Sequence, residues 1–158
     1  MKKRLSLAGI FFLLISISTA CDKSNDEPFD EPIDAPFTEY SLEGTSCRWT
    51  NFNGSHYNSE LIMINNDKEL RKYITSITSD YDYPAIDFSK HTLLLARGVE
   101  GHNVSVRNVD LQQSSTRSYA MTVNLQGSLV SVITYWQAPI LISRLKVGGS
   151  VVLFVTKD

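Results

Sequence analysis

The chain has 158 residues, of which 15 are basic and 17 acidic, and 42% are hydrophobic. That length fits one ordinary domain, and a near-neutral balance without a basic stripe argues against a nucleic-acid partner. Two cysteines are too few for a disulfide framework or a cysteine zinc cluster.

The first residues read as an export signal. Lys2, Lys3 and Arg4 make a cationic start, Leu5 through Ile17 is apolar, and Ser18, Thr19 and Ala20 lead into Cys21. The apolar run is shorter than the roughly 20 residues that a spanning helix needs. Ser18-Thr19-Ala20-Cys21 resembles the bacterial lipobox: Ala20 and Cys21 match, while Ser18 stands where that motif prefers leucine. The resemblance implies that residues 1–20 are removed, and that Cys21 carries a diacylglycerol on sulfur and a further acyl chain on nitrogen. Several acyl chains hold a membrane far more firmly than one, so the first expected partner is a membrane, reached through Cys21.

Residues 21–38 read as a tether. Asp22, Asp26, Glu27, Asp30, Glu31 and Asp34 outweigh Lys23, and Pro28, Pro32 and Pro36 recur every four residues. Such a composition predicts an extended segment without a packed structure of its own. Phe29, Ile33 and Phe37 share the rhythm, and the choice lies between a free tether and docking onto the domain; the composition favours the first. Acidic residues directly after the cysteine resemble the surface-export signals of Bacteroidetes lipoproteins. That resemblance implies an outer-membrane location, facing either the periplasm or the exterior.

Residues 39–158 remain as a single domain. Without the three basic residues of the leader, and Lys23 and the six acids of the tether, it holds eleven basic and eleven acidic residues. Ser46–Phe52 reads as a strand, Asn53-Gly54 as a tight turn, and Tyr57–Ile64 as its returning partner. Asn66 and Glu69 have the spacing of a capping box. Leu70, Tyr73, Ile74 and Ile77 then share one helical face, until Asp80–Pro84 ends the helix. Asp80 and Asp82 lack the glycine and later glutamate of a calcium-binding helix–loop–helix site, so that stretch reads as a solvated loop. Thr92–Ala96 is a continuous apolar run, as in a strand buried on both faces. Val104, Val106 and Val109 suggest a half-buried strand with a bulge, and Tyr119, Met121, Val123 and Leu125 alternate strictly. Leu129–Tyr135 reads as a strand that Pro139 separates from Ile140–Val147. Gly148-Gly149 predicts a hairpin from there into Val151–Thr156. The expected fold is α+β, with one amphipathic helix packed on a mostly antiparallel sheet of six or seven strands.

The order of a capped helix beginning Asn66-Asp67-Lys68-Glu69-Leu70, then Ile86-Asp87-Phe88-Ser89-Lys90, a buried strand and the Gly98–Gly101 turn resembles a known family. It is similar to the C-terminal domain of the protease-complex-subunit (PrcB-type) family of bacterial envelope lipoproteins, over roughly residues 60–156. Gly101 matches that family's Gly-Gly-Tyr-like turn, while His102 and Asn103 depart from it. The resemblance implies a non-catalytic role in assembling or protecting an exported protease, and it transfers no functional residue. Asp87 is expected to pin the turn before the buried strand, and Phe88 to pack.

Catalytic patterns are scarce. His56, His91 and His102 each stand alone, with no zinc-protease helix and no Gly-x-Ser-x-Gly elbow. Gly98–Gly101 lacks the Lys-Ser/Thr and the helix of a phosphate loop. A Cys47–His56 thiolate pair is conceivable across the expected first hairpin, but a buried, inert Cys47 is the simpler reading. The residues suited to contacting a ligand are Trp49, His102, Tyr135 and Trp136, since exposed aromatics anchor protein interfaces or stack on sugars. The sequence therefore predicts a non-enzymatic envelope lipoprotein, without a cofactor or metal, that binds another exported protein. A glycan-binding lipoprotein using Trp49, Tyr135 or Trp136 is the alternative.

Overall fold

A computed structural model describes residues 26–54, 58–78 and 80–158. The expected leader, Cys21 and His56 lie outside the described residues. In chain order the elements are β1 (Pro28–Asp34), β2 (Thr38–Glu39), β3 (Cys47–Trp49), β4 (Ser59–Ile64), α1 (Asp67–Leu70), β5 (Ile74–Ser76), β6 (His91–Glu100), β7 (Val104–Ser115), β8 (Ser118–Gly127), β9 (Thr134–Ser143) and β10 (Ser150–Lys157).

Two four-stranded sheets, ordered β1-β7-β8-β10 and β2-β9-β6-β4, pack face to face. Leu111, Met121, Val123 and Leu125 of the first meet Leu94, Ala96, Trp136, Ile140 and Ile142 of the second. A third layer, made of the β3–β5 pair, α1 and the segment around Tyr40 and Leu42, covers the other face of the second sheet. There Leu93 and Leu95 of β6 and Ile64 of β4 meet Cys47, Leu70 and Ile74. Strand β6 is thus the middle of three layers, and Thr92 through Glu100 are all buried. This explains why Thr92–Ala96 is continuously apolar rather than alternating.

The expected α+β architecture is overturned. Strands make up 55% of the described residues and helix 3%, and among them no helix reaches seven residues. The start of the helix does form as the sequence indicates: Asn66 Oδ1 accepts from the Glu69 N–H at 2.9 Å, and Glu69 Oε2 reaches back to the Asn65 N–H at 2.9 Å. The helix then closes with i→i+3 bonds from Lys72 to Glu69 and from Tyr73 to Leu70. Ile74–Ser76 leaves as a strand, because pairing with Cys47–Trp49 suits Ile74 and Thr75 better than another helical turn does. Ile77, expected on the buried helical face, is 72% exposed.

Both expected hairpins are also corrected. Strand β3 pairs with β5, and β4 pairs with β6. Pro139 interrupts nothing, since β9 runs through it, while residues 128–133 form no strand. Gly148, at φ +77°, turns the chain across to the other sheet, where β10 pairs in parallel with β8. Strand β9 already lies between β2 and β6, which leaves β10 no edge there. The tether is corrected in part: Pro28–Asp34 pairs with β7, Ala35 is buried and Phe37 packs on the core. Asp26 accepts hydrogen bonds from Thr116 and Ser118, and these help hold its carboxyl below the usual range, with Ser115 the largest contributor.

Candidate binding cleft beside strand β9

The site begins with a proline. Strand β2 pairs with β9 at Thr38–Leu141 and Glu39–Ile140, and the Tyr40 N–H donates to the Pro139 carbonyl at 3.1 Å. The return bond of that pair is missing because proline has no N–H, and the chain leaves β9 beyond Tyr40. Proline is tolerated inside this strand because its absent donor faces the side where pairing ends. In a strand the N–H and C=O of alternate residues point to the same edge. Those of Gln137 and Tyr135 therefore point the same way as the Pro139 carbonyl, away from β6. Among the described residues no strand pairs with β9 on that side over 134–138.

A half-open cleft of about 800 Å³ surrounds this edge, with Gln137 through Ile140 as its floor. One wall is β7, where a bulge between Val106 and Asn108 places Val106, Asn108 and Val109 beside the floor. The bulge falls where the valine spacing predicts it. The other wall comes from the third layer and includes Tyr40 and Trp49, whose rings meet edge to face with centroids 6.1 Å apart. Charges of both signs rim the cleft: Glu39, Glu43, Arg48 and Arg107.

The Tyr40 wall is tied down from behind. The Tyr40 hydroxyl donates to the Pro84 carbonyl at 2.8 Å, and burial pushes this phenol's pKa up. Asp82 accepts from the Ser46 hydroxyl at 2.5 Å and from the Ser46 N–H at 2.8 Å, which hold its carboxyl below the usual range. Arg48 Nη1 folds back to donate to the Thr45 and Cys47 carbonyls. Beneath the layer, Arg97 is 8% exposed, bonds Glu60 at 2.7 Å, and lies against the rings of Tyr73 and Phe52.

The structure disperses the four expected contact residues. Trp49 lines the cleft. Trp136, although next to the cleft in sequence, turns into the sandwich and is 4% exposed, so its ring is not a surface contact. Its Nε1 has no hydrogen-bond partner among the described residues. Tyr135 is exposed and continues a run of exposed apolar side chains at Leu129, Val130, Val132 and Ile133. His102 borders a separate hollow of about 340 Å³ with Leu129 and Asp158. Asp87 does pin its turn, accepting from the Ser89 N–H and hydroxyl, while its carbonyl accepts from the N–H groups of Lys90 and His91.

What the sequence reading missed is Gln137, Asn108 and Arg107, and the meaning of Pro139. The available signal was a proline inside an otherwise strand-like stretch, which marks an edge or a bulge. Chemically the cleft offers hydrogen bonds, aromatic and aliphatic surface and mixed charge. Among the described residues no histidine lines it, and Cys47 at its back is fully buried, with its thiol 3.9 Å from Asp82. Among the described residues no three His, Cys, Asp or Glu side chains are grouped to hold a metal. The fold and site thus define an all-β sandwich with a recessed strand edge. No protein-family model, no curated protein and no solved structure matches the chain.

Proposed function

We propose that this is a non-enzymatic protein of the cell envelope, lipid-anchored through Cys21, that binds another exported protein in the cleft beside β9. The observation that carries the binding role is the cleft itself: an open strand edge between an aromatic wall and an aliphatic one. The run Ser18–Cys21 supports the anchor, and the acidic residues directly after Cys21 support an outer-membrane location. The likeness of residues 60–156 to the protease-complex-subunit family favours an exported protease, or its complex, as the partner. The glycan reading has lost Trp136 to the core, which leaves it only Trp49 in the cleft and the exposed Tyr135 outside it.

The test is retention of solubilised envelope proteins on the complete mature chain, compared with an Asn108→Trp variant. Asn108 is an exposed residue of the cleft wall, so the bulky ring obstructs the cleft while the core stays intact. A protein retained by the wild type and lost with Asn108→Trp is the expected result. Equal retention by both chains, or none by either, contradicts the proposal.

A further inference from the structure

We propose that the partner enters the cleft as an extended, unstructured segment that adds a strand to β9 across residues 135–137. It takes up the line that β2 leaves at Tyr40. The inference rests on the binding role above and supplies its chemistry. Backbone donors and acceptors of Tyr135 and Gln137 face the open edge, and no described residue pairs with them. A peptide strand satisfies such groups, and pockets flanking alternate residues add selectivity. Five unpaired positions, 134–138, span about 17 Å at the usual rise of a strand. Side chains of an added strand alternate between the two walls, so one set meets Trp49, which Tyr40 backs, and the other meets Val106 and Val109. The occupant is therefore apolar at consecutive positions, unlike a half-solvated strand. The edge of a second copy is excluded as occupant, because each β9 floor lies recessed between its own walls and two such clefts cannot interleave.

The probe is a phage-displayed library of unstructured nonapeptides, selected on the full mature chain. Selected peptides should slow amide hydrogen exchange at Tyr135 and Gln137. Gln137→Pro removes the outward donor while leaving the β6–β9 ladder its bonds, as Pro139 already does, and should weaken peptide binding at least tenfold. Gln137→Thr keeps the backbone donor and should bind like the wild type. Peptides that bind without protecting either amide, equal binding by a folded Gln137→Pro chain, or a library that yields no binder each overturn strand addition. The protection measurement needs no variant, so it decides even where Gln137→Pro fails to fold. An envelope protein retained equally by wild type and Gln137→Pro would leave the binding role standing and remove only this mode.

Discussion

At Gly98 a methyl group would sit 2.7 Å from Trp136 Cζ2 and 2.8 Å from the Asn58 carbonyl. The indole lies against the bare backbone, which is why this position takes glycine and why Trp136 can turn inward. Gly98→Ala should therefore cost about 1–3 kcal/mol, the usual penalty for overpacking, read as a lower urea midpoint with an unchanged m-value. Cys47 gives a second check. It is fully buried, so iodoacetamide should leave it unmodified in native buffer and label it completely in denaturant; rapid native labelling would contradict the burial. Acid supplies a third. Asp67 is held below the usual carboxylate range mainly by the Tyr83 hydroxyl, Asp82 by Ser46 and Asp87 by Ser89. A depressed folded-state pKa means that the unfolded chain binds protons first, so stability is complete above about pH 4, the ordinary aspartate range, and falls as pH drops through the folded values. Near-UV circular dichroism from pH 7 to pH 2 should be flat and then fall; a decline already between pH 7 and 5 would contradict this. At this scale the sequence was a fair guide. The Asn66 cap, the Asp87 turn and the burial of Cys47 all depend on a few neighbouring residues or on chemistry that a side chain carries with it.

Some elements were legible singly, but their pairings were not. Strict alternation in β8 and the unbroken apolar run of β6 announced one-sided and two-sided burial. The partners of β3, β4 and β10 depend on contacts far apart in the chain, which turn signals at Asn53-Gly54 and Gly148-Gly149 do not encode. The helix failed for a related reason: Ile74 and Ile77, three residues apart, share a helical face but fall on opposite faces of a strand, and the free edge of β3 decided for the strand, which buries Ile74 and exposes Ile77. Strand β1 was hidden because its buried contacts are few and its acidic, proline-rich composition is that of a linker. It nevertheless covers the edge of β7. Removing residues 26–37 should destabilise the domain by about 2 kcal/mol, on the scale of one buried aromatic side chain such as the packed Phe37, and should promote association through the exposed β7 edge. Thermal melts and sedimentation of the shortened chain check both; an unchanged melting temperature would return these residues to the status of a tether.

For the whole molecule, placement follows from the point where the chain joins the sandwich. Asp26 is fixed at the Thr116–Ser118 end, and five residue steps separate it from Cys21, a reach of at most about 18 Å. With lipid on Cys21, that end of the sandwich stays close to the membrane. The exposed stretch Leu129–Ile133 and the C-terminal Asp158 lie at the opposite end, beside Gly127. The proposed anchoring thus leaves the β9 cleft, between the two ends, open to the proposed partner from the aqueous side. The cleft could not be read from the sequence because its floor, its aliphatic wall and its aromatic wall come from residues almost one hundred positions apart, and only Pro139 hinted at an open edge. The decisive measurement is photo-crosslinking in the native envelope, with benzoylphenylalanine placed at Asn51 in the cleft or at Thr122 on the far face of the first sheet. A discrete adduct with another exported protein from Asn51, and none from Thr122, is the expected result. Adducts from Thr122 alone, or from neither position, would contradict the assignment of the cleft as the binding site.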